Sequence, residues 1–233
     1  MKHTFLAVTR IVGFFFTIYI WRTILYKGFD QFTSLIIIIG GILLVFTVVW
    51  IGRRAVDVKP TTERLDWITS FVHIAVMIFF GASVIESAKF FYIWRGIIMP
   101  LPIEVRMVLL CLTCICLSLT VVNLALSGLG APFAIALSKR LANRWMYRWT
   151  RNPMVLCTLA TLLSVGLYLQ SFYFVLYVIL LVIPVFIFIL KVYEERELEI
   201  RFGASYLDYK AKTPFLWPRK PETKVEQGNN AAS

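Results

Sequence analysis

The chain reads as an all-α integral membrane protein, with about six transmembrane helices and a cytoplasmic amphipathic helix towards its C-terminal end. Three observations predict this class. Apolar residues make up 59% of the 233 positions and mean hydropathy is +0.77, whereas soluble domains hold about 45–50% apolar residues. Charged residues, 16% of the chain, fall in clusters between long apolar runs. Those runs are close to the ~20 residues that a helix needs to cross a ~30 Å hydrocarbon core.

The first run is Thr4 to Tyr26, within which Arg10 and Arg22 are expected to snorkel towards opposite interfaces. No clear small-residue cleavage site follows it, so it is expected to be a retained span and not a signal peptide. The second span, Thr33 to Ile51, carries a Gly40-Gly41 pair suited to close helix contact. A linker from Gly52 to Asp66 holds Arg53, Arg54, Lys59 and Arg64. The third span runs from Trp67 to about Ser87 and contains His73. The simplest reading of His73 is a hydrogen-bonded interior imidazole, and a functional role is the alternative.

Ala88 to Pro102 is aromatic-rich and suits the membrane interface. Pro102 then opens the fourth span, Ile103 to Ser127, because proline fits a first helical turn. Asn123 within it reads as an interhelical hydrogen-bonding residue. The linker Gly128 to Asn152 holds Lys139, Arg140, Arg144, Arg148 and Arg151. Pro153 starts the fifth span, which ends near Gln170, and only Gln170-Ser171 separates it from the sixth, Phe172 to Tyr193. These two spans must form a tight antiparallel pair. Pro184, in the middle of the sixth, removes a backbone hydrogen bond and is expected to kink it.

Basic residues set the orientation. The two basic linkers contribute four and five lysines and arginines, and the segment from Lys191 onward contributes eight. The other side has Lys27, Lys89 and Arg95, with Arg22 and Arg106 at its edge. Both termini are therefore expected on the cytoplasmic side. The net charge of +11 then lies beside anionic headgroups, and the lipid bilayer is its partner; nucleic acid need not be invoked. Cys111, Cys114, Cys116 and Cys157 all lie inside apolar runs. The CxxCxC spacing of the first three finds no further ligands nearby, and all four read as small packing residues. Three segments follow: N-terminal transmembrane helices over 1–127, a site-bearing unit over 128–218 and a tail over 219–233 expected to be disordered.

Two polar clusters stand out. Tyr147 to Pro153, YRWTRNP, opens the fifth span. Tyr193 to Tyr209, YEERELEIRFGASYLDY, follows the sixth. The helical pattern continues through Glu194, Glu195, Leu198 and Phe202 to Gly203, a plausible helix-ending residue, and Glu197 can pair with Arg201. The first cluster alone could be an interface anchor and the second a solvated amphipathic tail. However, four glutamates late in a helix oppose the macrodipole, so something else must favour them there. The hairpin returns the second cluster to the side of the first, where arginines and carboxylates meet at one depth.

These residues resemble the membrane methyltransferases of the isoprenylcysteine carboxyl methyltransferase and phospholipid methyltransferase superfamily. That pattern is PYR-x-x-R-[HN]-P-x-Y-x-G followed by EE-x-x-L-x-x-x-FG-x-x-Y-x-x-Y. Tyr147, Arg148, Arg151, Asn152 and Pro153 match the first part, and Glu194, Glu195, Leu198, Phe202, Gly203, Tyr206 and Tyr209 match the second. The resemblance covers roughly Gly128 to Pro218. Met146 replaces the leading proline, and Val155 and Cys157 stand where tyrosine and glycine are usual.

The resemblance implies a cytosol-facing pocket for S-adenosyl-L-methionine and a lipidic or hydrophobic small-molecule acceptor that arrives sideways from the bilayer. Tyr147, Arg148, Arg151, Asn152, Pro153, Met154, Glu194 and Glu195 are then the cofactor-binding candidates, with Arg151 suited to the cofactor carboxylate. Glu194 or Glu195 would accept from ribose hydroxyls or the amino group. Glu199 or Tyr206 is the candidate for orienting the acceptor, and no metal is required. Two alternatives stay open: an NADPH-dependent reductase of the sterol or steroid type, and a non-catalytic membrane scaffold with a degenerate cofactor site.

Overall fold

The computed structural model describes residues 2–94, 96–97, 99–126, 141 and 145–220. Most of the linker over 128–144 and the tail from 221, together with Arg95, lie outside the described residues. Six apolar helices follow one another: α1 (Lys2–Tyr26), α2 (Gln31–Val58), α3 (Thr62–Ile93), α4 (Ile103–Leu126), α5 (Pro153–Tyr168) and α6 (Phe172–Phe202). A short helix α7 (Ala204–Lys212) closes the set. Among the described residues, α1, α2, α3, α4 and α6 are long and apolar enough to cross a membrane. Helix α5 has 16 residues, about 24 Å at 1.5 Å per residue, so it is the shorter arm of the α5–α6 hairpin.

The helices run further than the apolar runs. Helix α2 extends to Val58 and α3 begins at Thr62, so the expected linker Gly52–Asp66 shrinks to the three residues 59–61, and Arg53, Arg54 and Arg64 are helical. Likewise α3 continues to Ile93 through the expected interface connection, and α6 continues nine residues past Tyr193. Hydropathy marks the part of a helix that lies in lipid. It does not mark where the backbone hydrogen bonding stops.

Helix α3 lies between α1, α2 and α6, with α5 against α6 and α4 along α5. The core is built from one stripe of each: Ile42, Val45 and Val49 of α2, Val72 of α3, Leu159 of α5, and Val178, Val182 and Val185 of α6. Edge-on aromatic pairs, Phe46–Phe188 at 4.7 Å and Phe80–Phe186 at 5.0 Å between ring centres, lock α6 onto α2 and α3. Of the glycine pair, Gly41 alone makes the close contact: a Cβ there would lie 2.7 Å from the Phe79 carbonyl oxygen, whereas Gly40 faces open space. The outer faces of α1 and α4 expose Phe15, Phe16, Leu112 and Ile115, as lipid-facing surfaces should. Cys111, Cys114 and Cys116 are exposed on α4 as well.

The α5–α6 turn forms as the two-residue separation requires. Gln170 adopts φ 53°, and Ser171 caps α6 by accepting from the Phe174 N–H at 3.3 Å while donating to the Phe91 carbonyl at 2.7 Å. Helix α6 meets Pro184 without breaking. A π-helical segment, Val178–Val182, immediately precedes the proline, and its wider turn accommodates a residue that has no N–H to donate. A second π-helical segment, Ile189–Glu194, precedes the charged end.

Arg10 does not reach outward for an interface. It turns onto α3 and donates to Ser70 Oγ at 2.7 Å. At the other end of the bundle, buried Glu86 accepts from Ser34 Oγ at 2.7 Å and from Lys89 Nζ at 2.8 Å. Lys89 also donates to the carbonyls of Ile24 and Lys27, which are left without helical partners where α1 stops. Removing the lysine would strand a buried carboxylate and these carbonyls. Lys89→Met is therefore expected to cost about 2–3 kcal/mol, below the ~3–5 of a wholly buried pair because the lysine is partly exposed. Thermal unfolding in nanodiscs measures the loss, and Glu86→Gln combined with Lys89→Met should cost less than Lys89→Met alone.

Candidate functional site

The site is assembled where the start of α5, the end of α6 and α7 converge. A 3₁₀ turn, Trp145–Arg148, leads into it, with Tyr147 buried and Arg148 exposed. Thr150 to Asn152 form a corner that is held by the chain after α7. The Arg151 N–H donates to the Pro214 carbonyl at 2.9 Å, the Asn152 amide to the Phe215 carbonyl at 2.8 Å, and the Arg219 N–H to the Trp149 carbonyl at 3.0 Å. Tyr209 Oη donates to the Tyr147 carbonyl at 2.7 Å. Pro153, buried, occupies the first turn of α5, where its missing N–H costs nothing, and Met154 beside it is half-buried.

The hairpin brings the two polar clusters into contact. Arg151 Nη2 lies 3.0 Å from Glu195 Oε1, and both side chains are largely buried at 10% and 15% exposure. The other Glu195 oxygen meets Lys210 Nζ at 2.7 Å, and Lys210 also reaches Glu199 at 3.0 Å. Arg196 bridges Glu199, at 3.5 Å, to Asp57 at the end of α2, at 2.9 Å, and Arg201 bridges Glu197 to Asp66 at the start of α3, at 2.9 Å each. Arg53 pairs with Asp57 and donates to the Val192 carbonyl. Glu195, Glu197 and Glu199 are therefore paired with cations supplied by neighbouring elements and by α6 itself, which offsets their unfavourable place late in α6.

Two features of this lattice remain open to a ligand. The Arg151 guanidinium spends only Nη2 on Glu195; among the described residues its buried Nε and Nη1 have no partner. Its cationic carbon stands 5.6 Å from the centre of the Phe215 ring. Glu194, next to Glu195 but turned elsewhere on α6, makes no hydrogen bond or ion pair with the described residues, while His73, Glu195 and Glu197 lie within electrostatic reach of it.

Tyrosines line the other side. Tyr206 is buried at 2% exposure, and burial together with the negative charge of Glu195 pushes its phenol above the ordinary value. Burial raises Tyr209 and Tyr147 in the same direction. All three are neutral hydrogen-bond donors at physiological pH. Sequence reasoning missed Lys210, Asp57, Asp66, Arg196 and Phe215. The Arg53–Asp57 spacing of four along α2 was a visible signal, whereas nothing local marks Lys210 or Phe215.

Among the described residues the chain is an all-helical bundle with five membrane-length helices, apolar outer faces and a charge lattice at one end, which is the make-up of an integral membrane protein. Residues 104–205 match the family model of phospholipid methyltransferases. This stretch is similar to the phospholipid methyltransferases, a family within the isoprenylcysteine and phospholipid methyltransferase superfamily of membrane enzymes. It runs from the first turn of α4 to Ser205 in α7, so it takes in the first polar cluster and the second as far as Ser205, and leaves α1, α2 and α3 outside. No match was found among curated proteins, nor among solved structures.

The docking of α7 has a predicted pH dependence. Hydrogen bonding to Glu195 raises the Lys210 ammonium above its usual 10.5, so its contribution is complete below that value and is lost as pH rises through the higher folded one. Tyr206 and Tyr209, held protonated by the fold, act in the same direction above their ordinary 10.0. Proteolysis within 204–219 is expected to be slow at neutral pH and to accelerate above pH ~10. Lys210→Met should show the fast rate already at neutral pH.

Proposed function

We propose that this protein is a membrane methyltransferase that uses S-adenosyl-L-methionine to methylate a lipidic or membrane-embedded small acceptor, with the site and both termini facing the cytoplasm. The observation that carries the reading is the Arg151 guanidinium: it is nine-tenths buried, fixed by Glu195 and Phe215, and left with two unpartnered donors. A buried cation with a free donor edge is costly unless an anion completes it, and a carboxylate suits that edge. The methionine carboxylate of the cofactor fits it. The cofactor supplies an electrophilic methyl group on a sulfonium centre.

The remaining roles belong to the protein. Glu195, oriented from both sides by Arg151 and Lys210, keeps lone pairs for ribose hydroxyls. Tyr147, Asn152, Pro153 and Met154 form the wall at the start of α5, whose first N–H groups have no helical acceptor. Arg148, exposed at the rim, faces headgroups or the polar edge of the cofactor. Glu199 or Tyr206 orients the acceptor. Methyl transfer is an in-line displacement, so the work asked of these residues is alignment and exclusion of water. The clustering of lysine and arginine at the site end supports its cytoplasmic placement.

Ligand-linked stabilisation tests this directly. S-Adenosylhomocysteine at 100 times its Kd should stabilise the protein by about 2.7 kcal/mol, while NADPH should have no effect. Arg151→Ala should abolish the shift without unfolding the protein, because Lys210 still pairs with Glu195. Stabilisation by NADPH alone would replace this reading with that of a reductase.

A further inference from the structure

At the end of the bundle away from the charge lattice, α1, α3 and α5 stop at Tyr26, Ile93 and Tyr168. A cavity of about 390 Å³ opens between them. Leu25 of α1 forms one wall, Leu162 and Leu169 of α5 the other, and Val84 and Ala88 of α3 the floor. From Leu169 to Leu162 the α5 wall runs about 10 Å down into the bundle. The same rise per residue puts Leu162 about 14 Å beyond Pro153, so the cavity stands apart from the Arg151–Glu195 site. Its lining surface is almost wholly apolar. A water molecule there would lack the polar partners it needs. Left empty, the cleft would forfeit the van der Waals contacts on which helix association in lipid depends. A hydrocarbon chain meets both conditions.

The mouth of the cavity is cationic. Lys89 belongs to its lining, but all three of its N–H donors are engaged, by Glu86 at 2.8 Å and by the carbonyls of Ile24 and Lys27 at 2.6 and 2.7 Å. The bond to the Lys27 carbonyl sets Lys27 directly beside it, and the two ammoniums share Phe29, each 5.3 Å from the centre of the ring. Lys27 is exposed and makes no ion pair with the described residues. Arg22 is likewise exposed and without an ion pair among them, its guanidinium 5.6 Å from the centre of the Tyr26 ring. Three residues before Leu25, it lies on the stripe of α1 that forms the cavity wall. The carboxylates of this end are already committed: Glu86 pairs with Lys89, and Asp30 caps α2 through Thr33. Two uncompensated cations therefore flank an apolar slot where the helices leave the membrane.

We propose that this cavity seats one anionic phospholipid of the leaflet opposite the charge lattice, with an acyl chain in the groove and its phosphate at Lys27 and Arg22. An ammonium or guanidinium resting on an aromatic ring is oriented by it and keeps its N–H donors for phosphate oxygens. A sterol would fill the slot but leave both cations without a counter-charge, and a zwitterionic lipid brings a cation of its own. The seated chain ties α1, which packs on α3, to α5 across the groove. The inference stands independently of the methyltransferase reading, because none of these residues belongs to the Arg151–Glu195 lattice.

The test uses the full chain in detergent, washed free of bulk lipid and titrated with dioleoylphosphatidylglycerol or dioleoylphosphatidylcholine under native mass spectrometry. Wild type should retain one phosphatidylglycerol, held about tenfold more tightly than phosphatidylcholine, and its Tm should rise as that site fills. With Arg22→Ala and Lys27→Ala combined, the two lipids should bind within about twofold of each other, because the chain still enters while the charge preference is gone. Ala88→Phe fills the groove and should weaken both lipids at least about tenfold by direct clash. If Ala88→Phe does not fold, Leu162→Trp obstructs the groove from the other wall and should have the same effect. Equal affinity of wild type for the two lipids would overturn the proposal. So would phosphatidylglycerol binding that survives both groove-filling variants, or its displacement from wild type by cholesterol. Stabilisation by S-adenosylhomocysteine should be the same in wild type and in every variant; a wild type that does not respond to it would overturn the methyltransferase reading and leave this one standing.

Discussion

The structure turns on one carboxylate held between two cations. Glu195 meets Arg151 on one side and Lys210 on the other, and those residues belong to the start of α5, the end of α6 and α7. A mostly apolar bundle has little to set one helix end against another, because lipid tails and leucines are equally apolar. Polar contacts at the helix ends supply that specificity. With Glu195 in place, Arg151 has one occupied and one open edge, and the chain after α7 lies along the Thr150–Asn152 corner.

The remainder of the α6 end extends the same logic around the helix. Arg196 turns to α2, Glu197 and Arg201 to α3, and Glu199 to α7. A helix presents a new face every 100° or so, so a run of alternating charges can hold several neighbours only if each face finds its own counter-charge. The π-helical segments matter here, since each shifts the phase of everything that follows. They set the phase with which the charged end of α6 follows the apolar stripe that packs on α2 and α3.

The stretch that matches the phospholipid methyltransferase model does not hold the whole charge lattice. It covers α4 to the start of α7, yet Asp57 and Asp66 come from α2 and α3, and Tyr206, Tyr209 and Lys210 follow the match.

The amino-acid sequence by itself determined the helical membrane class, the α5–α6 hairpin and the meeting of an Asn-Pro corner with a double-glutamate turn. These depend on span length, a two-residue turn and the even number of crossings between the clusters, all of which are local or countable. Only the tertiary structure decided which cation each glutamate takes, that Arg10 turns inward, that Gly41 and not Gly40 receives α3, and that Lys210 and Phe215 complete the site. Those outcomes depend on the rotational phase of each helix and on where it stops. Phase is set by packing and by the π-helical turns, and helix ends by caps and ion pairs beyond the lipid, so neither leaves a periodic trace in the chain.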